Sequence, residues 1–270
     1  MSVKIGLIGG GVMGEALLSR LIASEIYKAS EIIISEPLES RCQYLEKQYG
    51  ITTTGDNQEL LAQAPDAIVV AVKPQIFGTI AQEIGEAGNN KKFPIVISVM
   101  AGISLSQLEL AFPSTPIIRA MPNTPATVGA GITAICAGSY TNINHVKIAR
   151  QLLEAVGEVV EVSESLIDAV TGLSGSGPAY VALFIEALAD GGVASGLPRA
   201  TAYKLALQTV LGTAQLLANS KIHPAELKDR VTSPGGTTIT GVAQLEKNSF
   251  RSTIIEAVKS ATKRSQELGQ

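Results

Sequence analysis

VKIGLIGGGVMG, residues 3–14, sets a short apolar strand against Gly9, Gly11 and Gly14 and runs on into the helical pattern GEALLSRLIAS. At those spacings the first glycine turns the chain tightly, the second lets the backbone approach a pyrophosphate, and the third lets the helix pack on its strand. The N-terminal amides and dipole of that helix face the same place. A second apolar run, Ile32–Ser35, ends in Glu36, about 20 residues on, where the dinucleotide fingerprint expects an acid. An isolated glycine turn lacks that context, so the stretch reads as a dinucleotide pocket. An acid at Glu36 can accept hydrogen bonds from the adenosine ribose and would repel a 2′-phosphate, which favours NADH over NADPH. Arg41 is close enough in sequence to answer such a phosphate, and Glu36 also fits a solvated strand end.

The chain has 270 residues, 46% hydrophobic and 17% charged, enough for a substantial core and two domains. A net charge of −3 gives no electrostatic case for nucleic acid or an anionic membrane, so the expected partners are small molecules and other protein chains. Cys42 and Cys136 fit no CxxC pattern and read as small core residues in a reducing compartment. The N-terminus shows no charged leader or cleavage site, and no run is long enough to span a bilayer, so a cytoplasmic protein is expected. His145 and His223 have no partner at ligand spacing and read as surface or capping residues, with no metal site expected.

Up to about residue 160, β-branched runs alternate with helical patterns. Ile32–Ser35, Ala67–Val72, Pro94–Val99, Ile117–Met121 and Thr133–Cys136 read as strands, an alternation that builds a parallel sheet with helices on both faces. Beyond Val162 the pattern is helical: residues 178–194, 198–218, 239–247 and 254–268. The expected organisation is an α/β Rossmann-like dinucleotide-binding domain over residues 1–160 and an all-α domain over 161–270. Apolar faces containing Ala182, Ile185, Leu188 and Ala189, or Leu205, Val210 and Leu217, would stay wet in a lone copy. An obligate dimer built from this half is therefore expected; the alternative is that these faces pack on one another and on the first domain.

Four segments are candidates for chemistry. Ala71-Val72-Lys73-Pro74-Gln75 ends a strand at the carboxyl edge of the sheet, where Lys73 is either a cofactor contact or a solvated lysine. Ser98-Val99-Met100-Ala101-Gly102 ends the next strand in small residues that suit a flat nicotinamide. Arg119 to Pro125 reads as a rigid polar turn, either lining the space between cofactor and substrate or linking strands. Asn57 is a helix cap or a cofactor contact. Gly172-Leu173-Ser174-Gly175-Ser176-Gly177-Pro178 opens the first long helix, with Ser174 and Ser176 as candidate caps. Ser233-Pro234-Gly235-Gly236-Thr237-Thr238 precedes another helix and resembles an anion nest that would seat a carboxylate, although a plain Pro-Gly turn fits SPGG alone.

Together these segments resemble the Δ1-pyrroline-5-carboxylate reductase family. The resemblance runs the whole chain, through the glycine loop, AVKPQ, SVMAGIS, RAMPNTPATVGAG, TGLSGSGPAYV, ADGGVASGLPR and LKDRVTSPGGTTI. It implies NAD(P)H-dependent reduction of a cyclic imine acid to L-proline, in the last step of proline biosynthesis. It also implies a helical dimerisation domain that in many members builds rings of dimers up to a decamer. Carried onto this chain, the family's cofactor residues are Gly9, Gly10, Gly11, Val12, Met13, Gly14, Asn57, Ala71, Val72, Lys73 and Pro74, with the nicotinamide near Met100 and Ala101. Its substrate residues are Gly236, Thr237 and Thr238, with Thr238 aligning the ring nitrogen. Related hydroxyacid dehydrogenases carry GxGxxxK at Gly175-Ser176-Gly177, but here Val181 holds the lysine position, so the alcohol dehydrogenase reading loses its base. A cofactor-binding sensor and a reductase of the six-membered imine are the remaining alternatives.

Overall fold

The computed structural model describes residues 4–87 and 95–269; Val3 and Pro94, which begin two of the segments read above, lie outside them. Eight strands form one sheet: β1 (Ile5–Ile8), β2 (Ile32–Ser35), β3 (Thr52–Thr54), β4 (Ala67–Val70), β5 (Val96–Ser98), β6 (Ile117–Met121), β7 (Gly131–Ala137) and β8 (Gly157–Glu161). Their order is β3-β2-β1-β4-β5-β6-β7-β8. Pairing is parallel except between β6 and β7, which run antiparallel with Arg119 opposite Cys136. The expectation of an all-parallel sheet fails at that pair because the connection from Met121 to Gly131 is shorter than the dozen or so residues a parallel crossover needs. β3 and β8 were not among the strands read from the sequence.

The strands' twofold alternation builds two cores. Ile5, Leu7, Ile32, Ile34 and Val69 face one side, and Ile8, Ile33, Ile68 and Val70 the other. The first side is covered by α1 (Val12–Ala23), α2 (Glu39–Tyr49) and α6 (Ile143–Glu154), through Leu17, Leu21, Leu45 and Leu152. The second is covered by α3 (Asn57–Ala62), α4 (Phe77–Ala87), α5 (Leu105–Ala111) and α7 (Ile167–Val170), through Leu60, Ile80, Leu108 and Ile167. Each such side chain, fully buried, contributes about 1.5–3 kcal/mol, so the two faces hold the glycine loop on a rigid frame.

The remaining helices are α8 (Gly177–Ala194), α9 (Arg199–Ser220), α10 (Pro224–Arg230), α11 (Thr237–Lys247) and α12 (Phe250–Leu268). The chain divides into two compact units, Met1–Gly175 with Ala261–Gln270, and Ser176–Ser260. A boundary at residue 160 would cut β8, and within the first unit the end of α12 is tied back by Ser265 Oγ, which donates to Asp168 at 2.6 Å. The second unit's buried hydrophobic cluster among the described residues is only Ala189, Ala202 and Ala206. Of the faces expected to need a partner, Ile185, Val210 and Leu217 are half-buried, whereas Ala182, Leu188 and Leu205 are exposed.

Candidate functional site

The strand order reverses between β1 and β4, so the loops that follow them diverge and leave a crevice at the carboxyl end of the sheet. A cavity of about 520 Å³ occupies it, with Gly9, Gly11, Glu36, Asn57, Ala71, Val72 and Lys73 in its wall. Asp56, Glu83, Ile76 and Ile80 also line it, and sequence reasoning did not single them out. Lining groups of this kind bind; the wall holds carboxylates and one lysine but neither histidine nor cysteine.

The glycine loop has its shape for steric reasons. Gly9 has φ +103°, and a Cβ there would lie 2.7 Å from the Ala71 carbonyl oxygen. A Cβ on Gly14 would lie 2.1 Å from the Gly9 carbonyl oxygen, so only glycine lets α1 start this close to β1. A Cβ on Gly11 would meet nothing within 4 Å; this glycine is spared for something that comes from outside. Gly11 is also the N-cap of α1 and supplies no side-chain cap, which leaves first-turn amides free for an anion. Val12 begins that turn in the open, and Met13 packs partly against the core.

Glu36, 9% exposed, is held rather than solvated. Its Oε2 accepts from the Gly10 amide at 2.9 Å and its Oε1 from the Leu38 amide at 3.2 Å. Arg41 Nε donates to the Gly10 carbonyl at 2.7 Å, and the guanidinium also pairs with Glu15 Oε2 and lies 4.9 Å over the Tyr44 ring. Glu15 Oε1 accepts from the Tyr49 hydroxyl at 2.8 Å and the Tyr44 hydroxyl at 3.1 Å. Burial alone would raise the Glu15 carboxyl, but the Arg41 and Tyr49 hydrogen bonds, the Arg41 charge and the Tyr44 hydrogen bond together hold it below the usual carboxylate range. Burial, then the Glu15 hydrogen bond and charge, push the Tyr49 hydroxyl up to about 12. Arg41 is thus committed, not waiting for a phosphate as its sequence position allowed. An acid in the first turn of a helix whose N-terminus is offered to an anion demands a cation, and that was the signal for Glu15.

Other expectations sort as follows. Asn57 is not the cap of α3: Asp56 is, its Oδ1 accepting from the Gln58 amide at 2.8 Å, while Asn57 Nδ2 donates to Glu83 at 2.7 Å. Pro74 opens a short 3-10 turn after Lys73. Met100 is buried in the core and Ala101 is exposed; neither lies in the cavity wall. Arg119 to Met121 belong to β6, with Arg119 buried and paired to Glu164 at 2.8 Å. Asn123 ties backbone together, donating to the Ser174 carbonyl at 3.2 Å and accepting from the Ile132 amide at 3.0 Å, so the segment links strands. Ser176 stands at the N-cap of α8, and Ser174 does not. Thr171–Gly175 is a π-helical turn, Ser174 Oγ donates back to the Val170 carbonyl at 3.1 Å, and Ser176 makes no side-chain capping bond. His145 and His223 each accept a backbone amide through Nδ1, as helix-terminal caps do.

Within the second unit, Gly235 takes φ +65° and Gly236 is the N-cap of α11, again with no side-chain cap. Thr237 and Thr238 form its first turn, and Thr238 is exposed, with no hydroxyl partner among the described residues. The turn therefore presents unsatisfied amides and a free hydroxyl together, a seat for a carboxylate beside a nitrogen.

A family model described as pyrroline-5-carboxylate reductase dimerisation matches residues 164–268, and one described as NADP oxidoreductase, coenzyme F420-dependent, matches residues 4–102. The chain is 57% identical over 270 residues to a pyrroline-5-carboxylate reductase of Synechocystis sp., covering 100% of each. A solved pyrroline-5-carboxylate reductase from Coxiella burnetii superposes with TM-score 0.93 at 34% identity, covering 100% of both chains. That of Plasmodium falciparum, solved with NADP bound, gives 0.87 at 34% identity, covering 99% of this chain and 98% of its own. With the relationship running the full length of the chain, and with the glycine loop and the SPGGTT turn both built as described, the chain belongs to the pyrroline-5-carboxylate reductase family.

Proposed function

We propose that this protein reduces 1-pyrroline-5-carboxylate to L-proline at the expense of NAD(P)H, as the last step of proline biosynthesis in the cytoplasm. The observation that carries the reading is the fitted glycine loop, whose Gly11 opens on free space at the uncapped start of α1. A pyrophosphate fits there, with Gly9 to Gly14 supplying backbone, Glu36 meeting the adenosine ribose, Asn57 and Ala71 to Lys73 in the wall, and Pro74 fixing the turn that follows Lys73. Met100 and Ala101, which follow β5, are assigned to the nicotinamide end. When bound, the cofactor supplies a hydride.

In this reading the cofactor belongs to the first compact unit, and the substrate turn and the dimerisation faces to the second. Gly236, Thr237 and Thr238 hold the substrate, the α11 amides taking the carboxylate and the Thr238 hydroxyl aligning the ring nitrogen. Reduction of a protonated imine ends in a neutral amine, so the chain needs no strong acid to quench an alkoxide. Orientation and exclusion of water then supply most of the acceleration. The α8 and α9 faces pair two copies, and dimers assemble further into a ring of up to ten chains.

Replacing Thr238 by alanine tests the substrate assignment. Turnover is expected to fall on the order of 10²-fold, the loss typical of one aligned hydrogen-bonding group, with NADH affinity unchanged. A folded Thr238→Ala protein with parental turnover would remove Thr238 from the site.

A further inference from the structure

We infer that Glu15 is a positioning residue for cofactor choice: by holding Arg41 on the α1 side of Gly10, it denies the ribose end of the crevice the cation that a 2′-phosphate requires. The inference rests on the cofactor assignment above and deepens it.

Arg41 has three commitments, none toward the cavity. Its Nε is spent on the Gly10 carbonyl at 2.7 Å, its Nη2 on Glu15, and its face lies over Tyr44. Glu15 is in turn fixed by the Tyr49 and Tyr44 hydroxyls at 2.8 and 3.1 Å, so the hold is a four-residue cluster rather than one mobile surface pair. Gly10 is gripped on both sides of its backbone, its amide by Glu36 and its carbonyl by Arg41. The charged groups lining the cavity are Glu36, Asp56, Glu83 and Lys73. Lys73 follows β4 and Glu36 follows β2, with β1 between the two strands. Two strand spacings, about 10 Å, separate the strands they follow, so Lys73 stands on the far side of the glycine loop from Glu36. A 2′-phosphate would meet carboxylate there, and the arginine close enough in sequence to offset it is already paired. Glu15 also gains from the arrangement, since an unpaired acid in the first turn of α1 would repel the pyrophosphate that the turn is built to receive.

The experiment is titration of NADH and NADPH fluorescence with the full-length parent, Glu15→Gln, Arg41→Ala and the double variant, with a thermal melt of each. The parent should bind NADH the more tightly. Glu15→Gln should lower the ratio of NADPH to NADH dissociation constants about tenfold, the worth of one hydrogen bond to a charged group. Arg41→Ala alone should leave the ratio unchanged, and the double variant should restore the parental ratio, because the gain comes from released Arg41. If Glu15→Gln fails to fold, Tyr49→Phe, which removes one of its restraints, should move the ratio the same way. An unmoved ratio in Glu15→Gln or Tyr49→Phe, or a loss of NADPH affinity in Arg41→Ala alone, would overturn the inference. Both affinities falling equally would leave Glu15 a merely structural role and overturn it too. Binding of neither cofactor by the folded parent would instead sink the cofactor reading on which it depends.

Discussion

Gly14 and Gly11 separate what the loop needs to fold from what it needs to bind. At Gly14 an added methyl meets a backbone oxygen at 2.1 Å, which cannot step aside as a flexible side chain could. Gly14→Ala should therefore cost about 1–3 kcal/mol of stability, the usual penalty of overpacking, read by urea denaturation. Gly11→Ala adds a methyl to open space; it should keep parental stability and lose NADH affinity. Equal stability in Gly14→Ala, or unchanged cofactor binding in Gly11→Ala, would contradict this division. Both glycines were legible from spacing alone, because their constraint is steric and local. Asn57 was legible only as a neighbourhood: the cap fell to Asp56 one residue earlier, and either side chain is a good N-cap. The Glu15–Arg41 pair joins two helices: the need of Glu15 for a cation is local, but which cation answers it is not.

At the scale of elements, the strands that the sequence reveals are those buried on both faces, such as β2 and β4 with every residue buried. β3 and β8 escaped because they lie at the two edges of the sheet. β3 is three threonines, partly exposed, and β8 buries only Val159; edge strands carry polar residues, and a search for apolar runs passes over them. The direction of β7 was recoverable, since the length of a connection limits whether the next strand can be parallel. The π-helical turn at Thr171–Gly175 was not. Its glycines suggested a break before a helix, whereas the chain stays helical through it with one widened turn, in which Ser174 bonds back to the preceding turn.

For the whole molecule, the two units differ in how they are held together. The first has two apolar cores, whereas the described hydrophobic core of the second is three alanines between α8 and α9. Leu183 and Leu205 there are 66% and 53% exposed, within the residues 164–268 that the dimerisation model matches. Sedimentation should find a dimer or a larger assembly, and a Leu183→Glu, Leu205→Glu double variant should sediment as a smaller species with reduced turnover; a parental protein that sediments as a monomer would contradict the assignment. Among the described residues no helix is long and apolar enough to cross a membrane, and no cluster of three His, Cys, Asp or Glu side chains could hold a metal ion. The reaction is decided by mixing the purified protein with 1-pyrroline-5-carboxylate and NADH or NADPH, following cofactor absorbance, and identifying the product. Proline should form in step with cofactor oxidised, faster with NADH; cofactor binding without proline formation from either would contradict the assignment.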